Sequence, residues 1–251
     1  MTQTVAKRMI SQGAVLGSAL LDMVFPRICS GCGKPVGGES LHICWECLAA
    51  LWPIQFPYCS ICGNPVAGQI RHDYVCALCT PRKRAFDRAR SAFHYDGQMA
   101  GIIQGFKYGH STFLDRDLAR LLAVCVENNY RLSDVDAVTF VPLHHRKERE
   151  RGYNQARLLA GGLATALRKP LLIRCLVRCR PTASQTALSA VERRKNVRGA
   201  FCAVNGKWID GRRLLLVDDV MTTGATVDEC ARVLKTAGAA EVRVVTVARG
   251  C

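Results

Sequence analysis

The chain has 251 residues, 49% of them apolar and 22% charged, which is the composition of a folded globular protein and excludes a low-complexity or fibrous one. Its 35 lysines and arginines against 20 acids leave a formal charge of +15, which favours phosphate-bearing partners such as nucleotides, sugar phosphates or nucleic acid. No apolar run approaches the length needed to cross a bilayer, so no stable membrane insertion is expected.

Residues 1–27 combine a basic start with an apolar middle, as a weak signal peptide would. Asp22 and Arg27 interrupt that pattern, so the segment reads as an amphipathic helix docked on the body of a cytoplasmic protein. Residues 28–80 hold eight of the 14 cysteines in four C-x-x-C pairs: Cys29/Cys32, Cys44/Cys47, Cys59/Cys62 and Cys76/Cys79. Two such knuckles complete a tetrahedral thiolate shell with no open position, which is a structural Zn²⁺ site. "CSGCGKPVGG" at 29 recurs as "CSICGNPVAG" at 59. Duplication of a whole ribbon assigns Cys29, Cys32, Cys44 and Cys47 to one metal and Cys59, Cys62, Cys76 and Cys79 to the other, interleaved pairing being the alternative. A disulfide framework needs an oxidising compartment, and a thioredoxin-type pair normally comes alone. The remaining cysteines read mostly as small core hydrophobes.

The basic tract "TPRKRAFDRAR", Thr80 to Arg90, leads into residues 81–96, read as a linker and the start of a hood rather than as a nucleic-acid contact. From 97 to 251 helical and strand periods alternate. "MAGIIQGF" and "FLDRDLARLLAVCVENNY" have helical spacing, "VDAVTFVPL" is a strand, and "NQARLLAGGLATAL" is a helix capped by Asn154. "LLIRCLVR" and "AFCAV" are strands either side of a polar segment, Arg180 to Gly199. Arg212 to Val220 is a further strand, Val227 to Ala237 a helix stopped by Gly238, and "VRVVTVA" the last strand. This alternation predicts an α/β fold with a doubly wound, mostly parallel sheet and ligands outside the carboxyl ends of its strands.

"LLLVDDVMTTGAT" places Asp218 and Asp219 at such an end, ahead of a turn rich in threonine and glycine. The turn aims backbone N–H groups and a helix dipole at one spot, where Thr222, Thr223 and Thr226 add hydroxyls and Gly224 allows close approach, as a phosphate monoester requires. The acids can accept hydrogen bonds from vicinal hydroxyls or hold a hydrated Mg²⁺. Phosphate and diol together describe a ribose 5-phosphate. A Walker-type NTPase strand also ends in an acid, but no G-x-x-x-x-G-K-[ST] loop accompanies it. Plain surface acids leave the threonine cluster unexplained.

The thirteen residues resemble the PRPP-binding signature of type I phosphoribosyltransferases. With the cysteine module, "FKYG" at Phe106, "VPLHHRKERERGYNQA", "RPTASQTAL" and "RRKNVRGAF", the chain resembles the ComF family of competence-associated proteins over nearly its whole length. The resemblance implies Mg²⁺·PRPP with its 5-phosphate in Met221, Thr222, Thr223, Gly224, Ala225 and Thr226 and its ribose hydroxyls on Asp218 and Asp219. Pyrophosphate would meet the loop carrying Arg146, Lys147, Arg149 and Arg151, with Gly152 as its turn. Arg146 and Arg180 join the two acids as catalytic candidates, and His144 and His145 are weighed for proton transfer against ordinary exposed histidines. Arg180 to Gly199, with Thr182, Gln185, Arg193, Lys195 and Asn196, would be a lid that excludes water. Phe93, Tyr95, Phe106 and Tyr108 either stack an acceptor ring or pack the zinc module.

Between Val141 and Gly199 there are 14 lysines and arginines against 3 acids, more than pyrophosphate needs. Single-stranded DNA, with the DNA-uptake machinery behind it, is therefore a second expected partner, and a non-catalytic DNA-handling protein or a PRPP sensor the alternative to a transferase of unknown acceptor.

Overall fold

The computed structural model describes residues 27–36, 42–68, 70, 72–109, 111–182 and 189–250. The expected N-terminal helix and Gln185 lie outside the described residues. The chain forms two compact units, Met1–Ala50 and Leu51–Cys251.

The first unit carries the first Cys₄ set and a one-turn helix, α1 (Trp45–Ala49). Its first knuckle turns because Gly33 takes the left-handed region at φ 73°, its N–H donating to the Cys29 carbonyl over 2.8 Å. The sequence repeat is a structural repeat. In the second copy Gly63 sits at φ 68° and donates to Cys59, and the bridge between Ile28 and Pro35 is matched by one between Tyr58 and Pro65.

The second copy belongs to the larger unit, so the sequence-based ribbon module of 28–80 is divided between two compact bodies. A side chain at Gly63 would meet the Ala89 carbonyl oxygen at 2.7 Å, so only glycine lets this knuckle lie against the sheet. The Ala89 N–H donates in turn to the Ile61 carbonyl at 2.8 Å.

The sheet has four parallel strands in the order β1 (Arg88–His94), β6 (Glu241–Arg249), β5 (Arg213–Met221) and β2 (Ala137–Phe140). Strand β1 corrects the expected linker. Its arginines break the apolar pattern, yet Arg90 is buried, its guanidinium donating to the Ala89 and Ser60 carbonyls and stacking 4.6 Å from the Tyr58 ring centroid. A buried, satisfied arginine is indistinguishable in sequence from a solvated one.

Helices α2 (Gly97–Tyr108), α3 (Leu114–Asn129), α4 (His145–Arg151) and α5 (Gln155–Leu167) follow in chain order. Asn154 caps α5 as expected, its side-chain oxygen accepting from the Arg157 N–H. α3 and α5 pack on each other and on the sheet. On the sheet's other face α7 (Ala225–Thr236) presents Val227, Cys230 and Leu234 to the cluster that holds Leu214 and Leu216 of β5. The expected strand at 171–178 shortens to β3 (Leu176–Arg178), which pairs antiparallel with β4 (Phe201–Ala203), with α6 (Ala190–Val197) between them. Cys179 and Cys202 are joined by a disulfide, so these two are not core hydrophobes. No helix among the described residues is long and apolar enough to cross a membrane.

Asp136 fastens the start of β5. Its carboxylate accepts the Arg213 backbone N–H at 2.8 Å and two guanidinium bonds, and these hold its pKa down to about 2. Both side chains are more than a third exposed, 39% and 35%, so solvent screens the pair. We expect Asp136→Asn to cost about 1 kcal/mol in urea unfolding at neutral pH. A depressed carboxylate stabilises above its unfolded pKa of about 3.9, so the difference should vanish as pH falls through about 2.

Candidate functional site

Strand β5 delivers both acids to the carboxyl end of the sheet, flanked by β2 and β6. The Asp218 carboxylate accepts the Asp219 N–H at 3.0 Å, and Asp219 accepts the Val220 N–H at 2.7 Å, so both carboxylates are oriented by their own backbone. Burial, and then the charge of Asp219, push the Asp218 carboxyl well above its ordinary range. The chain then turns through Thr222, Thr223 and Gly224. Gly224, at φ 76°, precedes the first residue of α7, and its carbonyl accepts the Asp228 N–H at 2.9 Å to close the first turn. We expect Gly224→Val to strain this left-handed turn by about 1–2 kcal/mol and to weaken phosphate binding, checked by thermal melting and by titration on the same sample.

Sequence reasoning missed Lys107, whose ammonium lies 2.9 Å from Asp219, both side chains being largely buried. Burial lowers its pKa, but the Asp219 carboxylate outweighs it and holds Lys107 charged. The signal was a lysine between two aromatics in "FKYG". Phe106 anchors the motif in the core, its carbonyl accepting from the Tyr153 hydroxyl at 2.5 Å. Tyr108 is exposed, under the guanidinium of Arg151 at 4.9 Å. Tyr95 approaches the site, its ring 4.0 Å from the position a Cβ on Gly250 would take. Of the expected aromatics, Phe106 therefore lies in the core while Tyr108 is exposed.

The basic "HHRKERERG" stretch is not a loop but the helix α4, closed by Gly152 in the left-handed region. Arg151 donates to Gln155 and to the Tyr108 hydroxyl, at the FKYG end of the cleft. Arg146 pairs with Glu150 at 3.1 Å on an exposed helix face. Arg146 and Lys147 line a cavity of about 280 Å³ with His144, Arg178 and Thr182. The His144 ring accepts the Arg146 N–H as a helix cap and lies 4.0 Å from His145. Burial first, then His145 and neighbouring arginines, lower its pKa.

Arg180 donates to the Asn196 and Arg198 carbonyls, so it clasps the end of α6 instead of reaching the acids. From α6 itself, Arg193 donates to the Thr222 hydroxyl at 2.8 Å.

The thiols sort sequentially, not interleaved: within each Cys₄ group, Cys29/32/44/47 and Cys59/62/76/79, the sulfurs lie within 4.8 Å of one another. Cys32 and Cys44 are 3.7 Å apart and Cys62 and Cys76 3.6 Å. The edge of a tetrahedron with ~2.3 Å metal–sulfur bonds is about 3.8 Å, so both sets fit structural Zn²⁺. The second set is tied to the sheet by Arg249. This buried arginine at the end of β6 donates to the Cys62 carbonyl at 2.8 Å and the Asn64 side chain at 2.9 Å, with the Cys62 sulfur at 3.6 Å.

Two family models match the chain: a double zinc ribbon domain over residues 20–80 and a phosphoribosyl transferase domain over residues 154–250. It is 34% identical over 226 residues to Competence protein F of Haemophilus influenzae, covering 88% of this chain and 90% of that protein. It is 33% identical over 172 residues to DNA utilization protein YhgH of Escherichia coli (strain K12), covering 67% and 75%. Among solved structures it is similar to glutamine phosphoribosylpyrophosphate amidotransferase from B. subtilis complexed with ADP and GMP. That match has 28% identity and a TM-score of 0.37 over 55% of this chain, and it spans only 26% of that longer enzyme.

Proposed function

This chain belongs to the ComF family, and from that premise we propose that it binds Mg²⁺·PRPP at the carboxyl end of β5 and transfers its phosphoribosyl group. The observation that carries the reading is the pair Asp218 and Asp219, held by their own backbone one turn before a left-handed glycine that opens α7. Donor chemistry suits the ligand. The turn Met221 to Thr226 offers N–H groups and hydroxyls to a 5-phosphate, and the two carboxylates accept the ribose hydroxyls. Lys107, paired with Asp219 at 2.9 Å, places a positive charge beside an anionic substrate. Arg151, Lys147 and Arg146 supply positive charge on the flank where pyrophosphate would leave. Mg²⁺, when bound through the acids and the pyrophosphate, would neutralise charge developing on the leaving group.

Displacement at C1 builds positive character on the ribose ring, which water would intercept. The contact from Arg193 to Thr222 supports α6 as the part that covers the sugar phosphate, and Arg180 as the residue that holds α6 in place. The work of the protein is then positioning and electrostatics. The relatives named for competence and DNA utilization, together with the basic stretch 141–199, support a role in handling incoming DNA, with single-stranded DNA or its products supplying the acceptor.

The test is calorimetric titration of PRPP into zinc-replete protein with and without Mg²⁺. Saturable, Mg²⁺-dependent binding at one site per chain is expected, and it justifies an acceptor screen that follows pyrophosphate release. A folded protein that shows no heat with PRPP ends the transferase reading and leaves DNA handling.

A further inference from the structure

Helix α6 has a second charged face. While Arg193 reaches Thr222, its neighbours Arg194 and Lys195, with Arg198 just past the helix end, line a cleft of about 720 Å³ between α6 and α7. Arg82 and Arg232 complete a ring of five cations around it. The cleft holds two acids, and both are already engaged. Asp228 accepts the Ala85 N–H at 2.7 Å and pairs with Arg82 and Arg84. Glu229 accepts the Gly199 N–H at 2.8 Å and pairs with Arg232. Among the described residues no ion pair involves Arg194, Lys195 or Arg198. Five cations against two acids leave the lining with a net charge of +3, around a concavity whose size suits a small-molecule ligand.

We propose that this cleft is a second binding site, distinct from the acids of β5, for a small polyphosphorylated anion such as a nucleoside di- or triphosphate. That net charge of +3 matches the three to four charges of a phosphate chain, and guanidinium forks bind phosphate oxygens in pairs. Convergence around a cleft favours a compact anion over a strand, whose phosphates would need cations spaced along a track. An anion bridging Arg194 on α6 and Arg198 just past its end to Arg82 and Arg232 holds α6 against α7. That is the position from which Arg193 meets Thr222, so occupancy should raise affinity at the sugar-phosphate turn, and reciprocally. This coupling rests on the phosphoribosyl reading; the cleft site does not.

The probe is inorganic tripolyphosphate, titrated at about 0.15 M salt so that diffuse attraction is screened. Asp218→Asn/Asp219→Asn protein is expected to bind it at one site with unchanged affinity, and Arg194→Ser/Arg198→Ser protein at least about tenfold more weakly. Arg116→Ser/Arg120→Ser, which removes the same charge from an exposed face of α3, is the control and is expected to bind as wild type. Three results overturn the site: no saturable binding, equal weakening in the control, or loss of binding in the double Asp variant. Displacement of tripolyphosphate by an oligodeoxythymidylate but by no nucleotide also overturns it, and makes the cleft a nucleic-acid groove. If the site holds but PRPP affinity is indifferent to tripolyphosphate, only the coupling falls.

Discussion

Cys62→Ser is expected to unfold the whole of the Leu51–Cys251 unit at temperatures where the wild type is intact, whereas Cys32→Ser should leave that unit's melting unchanged. Each variant removes one zinc, and zinc content should fall from two ions per chain to one in both. The consequences differ because the two copies of one motif have different surroundings. Cys32 is exposed in the small first unit. Cys62 is buried among the core residues of the second, where its carbonyl and sulfur receive Arg249. A structural zinc contributes on the order of 10 kcal/mol to the fold that binds it. That is comparable with the whole margin of a typical domain, about 5–15 kcal/mol, and it is lost to the sheet as well when the ribbon and the sheet unfold together. Arg249, Gly63 and the Ala89 to Ile61 hydrogen bond impose that coupling. Circular dichroism melting of both variants, with zinc assayed on the same samples, checks it. A Cys62→Ser protein that loses zinc but melts as wild type would show that the second ribbon folds independently.

Asp218→Asn/Asp219→Asn should reduce Mg²⁺·PRPP affinity by about a hundredfold or more, since each lost charged hydrogen bond to a ribose hydroxyl is worth about 1.5–3 kcal/mol. The single change Asp219→Asn carries a second effect. It leaves the Lys107 ammonium, 81% buried by its 19% side-chain exposure, without its counter-ion. Stranding a buried charge typically costs about 3–5 kcal/mol, so Asp219→Asn should also lower the melting temperature. Adding Lys107→Met to it should restore stability but not PRPP binding. Melting and calorimetry on the single variant and on the pair separate the two effects. Restored binding in the Asp219→Asn/Lys107→Met protein would remove Asp219 from the site.

The helices α2, α3, α5 and α7, the strands β2, β5 and β6, and the acid–threonine turn after Leu216 were legible because they obey local rules, whereas α4 and α6 were hidden in stretches with the composition of loops. A strand alternates or runs apolar, a helix repeats at 3.6, and a phosphate turn needs glycine and hydroxyls at fixed offsets. The four cysteine pairs were legible for the same reason, a fixed two-residue spacing within each pair. Strand β1 was not, because Arg88 and Arg90 carry the composition of a linker and only the Ser60 carbonyl and the Tyr58 ring make Arg90 a buried residue.

What the sequence determined by itself is thus the zinc-ligand set, the α/β class and the strand-end acids, all properties of residues a few positions apart. Tertiary structure alone decided that the second ribbon is part of the sheet's core, that Lys107 meets Asp219 from 112 residues away, and that α6 turns Arg193 and Arg194 toward different clefts. Those contacts join segments distant in the chain, and their energies come from burial and charge pairing that no local pattern encodes.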